Sequence, residues 1–322
     1  MKRLTLSLFA TGVALFVFGQ MSATDPIAHA ASLGQPFNNV AALAQSLTAP
    51  FQSEADKAEA IFGWIAHHVR YDCKKFHANK PVQIKAHSKE ELARKIVEHK
   101  RTMAEKTAKH RKGICGDYSE LFKALCDEAG LEAVVVTGNA RDFYKPFRSA
   151  HDNPHAWNAV KIDGEWRLLD ATWAAGRTDE NVKKFTRRFS PGFFRTPPAW
   201  FAQNHFPDDP SWQLLDPPLD KKAFVRQPLI NYGQAQFAIE DFSETALVVQ
   251  GKDYDREIKI KFNQAPAHFM LATQRQKPIK FSHAKEDGYD VIRFSGKGVR
   301  EVVLFGGKSV HGMHEWIARY DL

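Results

Sequence analysis

Three side chains in this sequence are of the types that together make a thiol nucleophile: Cys115, His155 and Asp170. Cys115 stands in RKGICGDYS (111–119), between glycines and at the head of a run with helical apolar spacing, Leu121, Phe122, Leu125, Cys126 and Ala129. A thiol at a helix start faces unpaired N–H groups and the positive end of the dipole, which stabilise a thiolate, and a protonated histidine adds to this. Those N–H groups can also bind the oxyanion of a tetrahedral intermediate. Gly113 and Gly116 are expected to leave room for a substrate backbone.

His155 opens HAWNAVKI (155–162) and Asp170 lies in EWRLLDATW (165–173), two β-like runs joined by Asp163-Gly164, a strong hairpin signal. With a two-residue turn Ile162 pairs with Glu165, which sets His155 opposite Thr172 and Trp157 opposite Asp170. Partners share a face and side chains alternate, so His155 and Asp170 are diagonal neighbours, about 7–8 Å apart at the backbone and within side-chain reach. A three-residue loop would break this parity. In such a triad His155 takes the thiol proton and returns it to a leaving amine, while Asp170 fixes the ring's tautomer and orientation. Each residue alone is more often structural; their joint placement points to acyl transfer.

The elements that must position these groups follow from periodicity. Ser53-Glu54-Ala55-Asp56 resembles a capping box, and Ala58, Ile61, Phe62, Ile65 and Val69 predict a helix over about 54–69. Residues 88–110 read as a charged helix, and a third helix runs from Cys115 to a C-terminal stop at Gly130. EAVVVTG (132–138) is a buried strand. Seven of sixteen prolines fall in 197–228, an ordered crossing rather than a helix. Beyond it, TALVVQG, REIKIKFN, HFMLATQ, YDVIRFSG, REVVLFGG and HEWIARYDL are short strands at the spacing of a β-sandwich.

The stretches GICGDYSELF (113–122), AGL (129–131), HAWNAV (155–160) and WRLLDATW (166–173) resemble the transglutaminase-like superfamily, and within it the kyphoscoliosis-peptidase-like proteins. IFGWIAHHVRYD (61–72) and NHFPDDPSWQLL (204–215) share the likeness, which covers about 53–215. The resemblance implies an α+β, papain-like fold, a triad of Cys115, His155 and Asp170, and hydrolysis of peptide bonds or acyl transfer from glutamine. Calcium-dependent animal members carry acidic clusters with no counterpart here, so neither metal nor cofactor is expected. Their second oxyanion donor is an upstream tryptophan, for which Trp64 is the candidate. The expected architecture is thus a papain- or transglutaminase-like cysteine-hydrolase core over 31–225, Pro-rich crossing included, followed by a β-sandwich-like domain over 226–322. The chemistry is placed in the first of these.

Lys2-Arg3, the apolar run at 4–19 and the small residues after it describe a secretory leader, 1–30, cut after Ala23 or Ala30. No later run is long enough to span a bilayer, so the expectation is an exported protein, periplasmic or extracellular, without a membrane anchor. Three cysteines in an oxidising compartment leave at least one unpaired. Cys126 reads as core packing; a Cys73–Cys126 bridge is the alternative.

Net charge is +8, and removing residues 1–30 takes away Lys2, Arg3 and Asp25 to leave +7. Much of the excess lies between Lys100 and Lys112, which reads first as a solvated helix face and secondly as a dock for an anionic cell-envelope surface. It lacks aromatic interleaving and the chain lacks nucleic-acid modules, which excludes nucleic acid as the expected partner. His67-His68 and His311-Gly312-Met313-His314-Glu315 lack zinc-ligand spacing. A protein or peptide substrate is expected. Hydrolysis and amine transfer stay open as fates of the acyl group, and a non-catalytic binding module for a protein or envelope partner is the reading from another class.

Overall fold

A computed structural model of the chain describes residues 24–78, 82–143, 153–233, 237–243, 245–251, 253–273 and 275–322. The apolar run at 4–19, expected to be a leader, lies outside the described residues. Asp25 caps α1 (Pro26–Ser32) by accepting from the Ala28 N–H at 2.9 Å. This helix belongs to the folded core. Ala30 is fully buried and its carbonyl lies 3.1 Å from His68 Nε2, while the Leu33 carbonyl accepts the Trp64 indole N–H at 2.9 Å. A cut after Ala30 would divide α1, and a cut after Ala23 leaves it whole. Residues 25–30, which the expected boundary at 31 leaves out, are thus packed into the described fold.

Next come α2 (Val40–Thr48), α3 (Glu54–His68), β1 (Arg70–Tyr71), α4 (Cys73–Ala78), α5 (Lys89–His110), β2 (Lys112–Gly113) and α6 (Cys115–Glu128). Their ends follow side-chain chemistry. Ser53 and Ser88 accept from the Asp56 and Glu91 amides, caps worth about 1 kcal/mol each. α5 stops where Arg111 turns left-handed, at φ 52°. The parallel pairing of Tyr71 with Gly113 then delivers the chain to Cys115.

β3 (Ala133–Ala140), β4 (Pro154–Ile162) and β5 (Glu165–Leu169) form the centre of a five-stranded sheet. After them come α7 (Ala171–Ala175), β6 (Gly176–Thr178), β7 (Phe185–Arg187), β8 (Phe194–Thr196), α8 (Pro198–Phe201), β9 (His205–Pro207) and α9 (Lys221–Arg226). The sheet order is β8-β5-β4-β3-β9. The hairpin turn is the expected two-residue one, with φ 52° at Asp163 and 82° at Gly164, and Ile162 pairs with Glu165. The expected register holds as far as Asn158 opposite Leu169. There the strand ends earlier than its sequence implied, because Asp170 caps α7 instead of continuing the ladder. The Pro-rich crossing is likewise not free of regular structure: it holds α8 and α9, and β9 joins the sheet beside β3.

Alternation along β4 splits the core. Val160 and Ile162 face α3 and α6 with Phe62, Ile65, Leu121, Phe122 and Leu125, whereas Trp157 and Ala159 face Phe201, Trp212 and Leu214 of the crossing.

Strands β10 (Leu229–Ile230), β11 (Ile239–Phe242), β12 (Leu247–Val248), β13 (Arg256–Phe262), β14 (His268–Ala272), β15 (Phe281–Glu286), β16 (Tyr289–Phe294), β17 (Glu301–Gly307) and β18 (His314–Asp321) make two antiparallel sheets. One is ordered β10-β18-β17-β14; the other is β11-β13-β16-β15 with β12 beside β13. Ile258, Ile260, Ile292, Leu304 and Ile317 fill the space between them. β10, β11 and β15 are strands that the sequence pattern did not reveal.

The two halves are pinned together. Arg141, 4% exposed, donates to the carbonyls of Gln203 at 2.7 Å, Val225 at 3.3 Å, Gln227 at 2.9 Å and Pro228 at 3.1 Å. Arg188 pairs with Glu315 at 2.9 Å, and Phe143 meets Trp316 with ring centres 5.4 Å apart.

Candidate active site

Cys115 is the first residue of α6, so its sulfur sits at the positive end of that helix. The preceding turn is tightened by Asp117, whose carboxylate accepts the Ile114 N–H at 2.8 Å and receives Lys75 Nζ at 2.7 Å. A Cβ on Gly113 would lie 2.5 Å from Asp117 Cβ, so this glycine admits the cap and not a substrate. Gly116 does face open space, with no atom within 4 Å of a Cβ placed there.

Asp170 is fully buried and all of its acceptor capacity is used. Oδ1 accepts the Thr172 and Trp173 amides at 2.8 and 3.0 Å, the N-cap of α7. Oδ2 takes two imidazoles, His155 Nε2 at 2.7 Å and His205 Nε2 at 3.0 Å. With Nε2 engaged, the other nitrogen of His155 is the one hydrogen-bonded to the Cys115 thiol, and the Ala156 N–H donates to the same sulfur. The structure thus brings together the three residues expected from sequence.

Their electrostatics are mutually supporting. Burial opposes charge on His155, but the Asp170 carboxylate outweighs it and raises the ring's pKa to about 10. Burial also opposes charge on Asp170, and His155 with His205 holds it well below the usual carboxylate range. For Cys115, burial would raise the thiol; the hydrogen bond and charge of His155 prevail and lower it. Cys73 and Cys126 move the other way, both raised chiefly by burial. All three cysteines are free thiols, so the Cys73–Cys126 bridge is not formed.

His205 was not singled out from sequence. Burial drives it to about 4 against the upward pull of Asp170, so it is neutral. Its ring is boxed by Phe201, stacked at 3.9 Å, Trp173 at 4.7 Å and Trp157 at 5.0 Å. His155, Asp170 and His205 are also the one group among the described residues whose ligand atoms cluster within 4.8 Å as metal ligands could. Their N–O separations of 2.7 and 3.0 Å are those of hydrogen bonds and leave no gap for an ion bound at about 2.0–2.2 Å. Trp64 does not serve as an oxyanion donor, since its N–H is spent on Leu33 and the ring is fully buried. Tyr71 lines the cleft beside Cys115, and burial foremost keeps its phenol protonated, hence a donor. The outlying histidines do local work: His67 packs on Phe189 with ring centres 4.2 Å apart, and His314 Nδ1 lies 3.0 Å from the Gly312 carbonyl.

The cleft holding Cys115 has a volume of about 580 Å³ and is walled by both halves. Trp173, Phe193 and β6 line one side; Phe305, Met313 and Trp316 of the β-sandwich line another.

A cysteine at a helix start, facing a histidine and a buried carboxylate carried by an antiparallel sheet, defines the cysteine-protease and transglutaminase class of fold. Residues 41–171 match the model of the Transglutaminase-like superfamily, to which this stretch is therefore similar. Kyphoscoliosis peptidase of Mus musculus is 35% identical over 184 residues, 56% of this chain and 25% of that protein; the Homo sapiens protein is 34% identical over the same length and shares. The chain thus spans about a quarter of these relatives. Among solved structures, one of a TGase is 21% identical, covers 41% of this chain and 29% of that one, and superposes with a TM-score of only 0.27.

Proposed function

We propose that this protein is an exported thiol enzyme that cleaves amide bonds of a protein or peptide through an acyl-enzyme. The observation that supports it most is the shared Oδ2 of Asp170: a fully buried carboxylate has no reason to be ionised unless it holds an imidazolium, and His155 at 2.7 Å is that cation. The pair His155⁺–Cys115⁻ is then the resting state. The thiolate attacks the carbonyl carbon, a C–S bond forms, and the oxyanion meets the first-turn amides of α6 and the Tyr71 phenol. His155 gives its proton to the departing nitrogen as the C–N bond breaks. Water then loses a proton to His155 as it attacks the thioester, which releases the acid and restores the thiolate and the imidazolium. An amine in place of water would make a new amide, the alternative fate. For a leader, a cut after Ala23 is the proposal consistent with an intact α1. The basic stretch from Lys100 to Lys112, which spans the end of α5 and β2, is proposed to meet an anionic envelope surface without Lys100 and Lys112, since Lys100 binds Glu120 at 2.9 Å and Lys112 faces Asp72 at 3.5 Å.

Iodoacetamide labelling read by mass spectrometry, with peptide turnover followed with and without a primary amine, tests this. Cys115 should label far faster than Cys73 or Cys126 at neutral pH and carry a transient acyl adduct. Equal labelling of the three thiols would refute the reading.

A further inference from the structure

His205 lies far from the reacting atoms in sequence and does not reach the thiol, yet it binds the same carboxylate oxygen as the proposed base. Its other nitrogen, Nδ1, is 2.8 Å from the side-chain amide of Asn204, and the Tyr232 hydroxyl is 3.2 Å from that same amide atom. A neutral ring owns one proton. The Asp170 carboxylate and the Phe201 carbonyl both only accept from this ring, and the proton goes to Nε2 because the ionised carboxylate is the stronger acceptor. Nδ1 then presents a lone pair, and the Asn204 amide turns its NH2 end to it, an assignment made by the network since the two ends are alike in shape. Tyr232 follows β10, whose partner is β18, the last strand of the sandwich, and its ring also packs on Phe193 and Trp200. A chain of hydrogen bonds therefore runs from the β-sandwich to the thiol through Tyr232, Asn204, His205, Asp170 and His155.

We infer that His205 is a positioning residue for this site, and that Asn204 and Tyr232 anchor it, so that seating of the β-sandwich on the catalytic half holds Asp170 against His155. The inference rests on the triad reading of Cys115, His155 and Asp170. Its physical content is that His205 supplies a donor without a charge. A cation there would compete with His155 for Asp170; burial foremost, and then the imidazolium with its ring centre 5.5 Å away, keeps it from becoming one. Phe201 stacked on one face and Trp157 set edge-on to the ring restrict its plane, so Asp170 Oδ2 is held where the His155 ring must point. Around the carboxylate the titratable neighbours are Cys115, His155, His205, Tyr71, Tyr118 and Tyr232; the three phenols stay protonated, which leaves the acid side of the thiolate profile to the histidines, Asp170 and Cys115.

The test is the pH profile of iodoacetamide alkylation at Cys115, measured with thermal melting for wild type, His205→Phe, His205→Gln and Tyr232→Phe. His205→Phe keeps a ring in the box and loses the donor. Its acid limb should move to higher pH and its rate near pH 7 should fall about 10- to 100-fold, the worth of one hydrogen bond to a charged group. His205→Gln, whose amide NH2 reaches toward the Nε2 position, should recover most of that loss. Tyr232→Phe should shift the limb in the same direction by less. A wild-type profile in His205→Phe, or an equal loss in His205→Phe and His205→Gln, overturns the inference. If His205→Phe does not fold, Tyr232→Phe decides: an unmoved acid limb refutes the anchor. Failure of the wild-type Cys115 to outpace the other thiols would instead count against the triad reading itself.

Discussion

Replacing Asp170 with asparagine asks more of this site than a loss of charge. Four N–H groups converge on the carboxylate, two backbone amides on Oδ1 and two imidazoles on Oδ2. An amide has a single acceptor end. The cap of α7 claims it, since Thr172 and Trp173 cannot offer anything but N–H, so the NH2 end is forced toward His155 and His205. Both rings must then give up the Nε2 proton, and His155 is left with its proton on the nitrogen facing Cys115. That is the wrong tautomer for a base. The support that raised His155 to about 10 is gone, and burial drives the ring neutral. Without the imidazolium the thiol returns toward its ordinary range, where a few per cent or less is ionised at pH 7. A thiolate lowered to a per cent of its population, with a misdirected base, gives an expected loss in turnover of about 10² to 10³. This is below the ~10⁴ of a serine triad because a thiol is intrinsically the better nucleophile. The helix cap survives in this scheme, so the melting temperature should move by only a few degrees. Turnover, alkylation rate against pH and melting should be measured on one preparation. Full activity in Asp170→Asn would show the carboxylate to be a helix cap and no more.

Stability should depend on pH through the same residues. His155 keeps its proton to about 10 when folded and to about 6.5 when unfolded, a contribution lost as pH rises toward 10. Cys115, held lowered in the fold, acts oppositely and offsets that loss until the ordinary thiol range is reached, so the alkaline limb falls near the top of this window. His205, neutral to about 4 when folded, acts oppositely and weakens the fold as pH falls from about 6.5 to 4; urea midpoints against pH should peak between these limbs, and His155→Gln should flatten the alkaline one. Arg141→Met abandons carbonyls of Gln203, Val225, Gln227 and Pro228 and should cost about 2–3 kcal/mol in urea unfolding; a change under 0.5 would show that water replaces the guanidinium there. Gly138→Ala would set a Cβ 2.3 Å from the Phe206 carbonyl, forcing β9 off β3, and should lower both the urea midpoint and the labelling rate of Cys115, since β9 carries His205.

What could be read without coordinates was whatever short-range chemistry dictates. Ser53 and Ser88 mark helix starts, Asp163-Gly164 fixes a register, and that register alone placed His155 beside Asp170. The course of the chain at Asp170 is not legible from alternation, which runs on until something stops the strand; here the stop is Asp170 itself, which turns its carboxylate back on its own backbone. Trp64 and Gly113 show the converse. Each has the type a thiol site could use, and each is consumed by packing, Trp64 on Leu33 and Gly113 against Asp117. His205 lies in NHFPDDPSWQLL, a stretch that shares the family likeness, but nothing in its spacing ties it to Asp170. It sits in a three-residue strand within a proline-rich crossing, and its meaning depends on a pairing with β3, at Ala140, 65 positions earlier. The signal that was available is compositional: a polar Asn-His step flanked by Phe201, Phe206 and Trp212, where exposed loop residues would be expected.

The tight turn at Asp163-Gly164 also has a bearing on the order in which the molecule becomes reactive. His155 and Asp170 are 15 positions apart and are joined by a hairpin that can close in about 1–10 μs, whereas His205 is 35 positions from Asp170 and Tyr232 a further 27 from His205. Closing longer loops costs more chain entropy, so the distant partners arrive after the local pair. A newly made chain therefore carries a histidine–aspartate pair long before that pair is clamped. If the proposed clamp through Tyr232 and His205 governs the thiol, full nucleophilicity comes only when the last strands have docked, and a half-folded chain is chemically quiet.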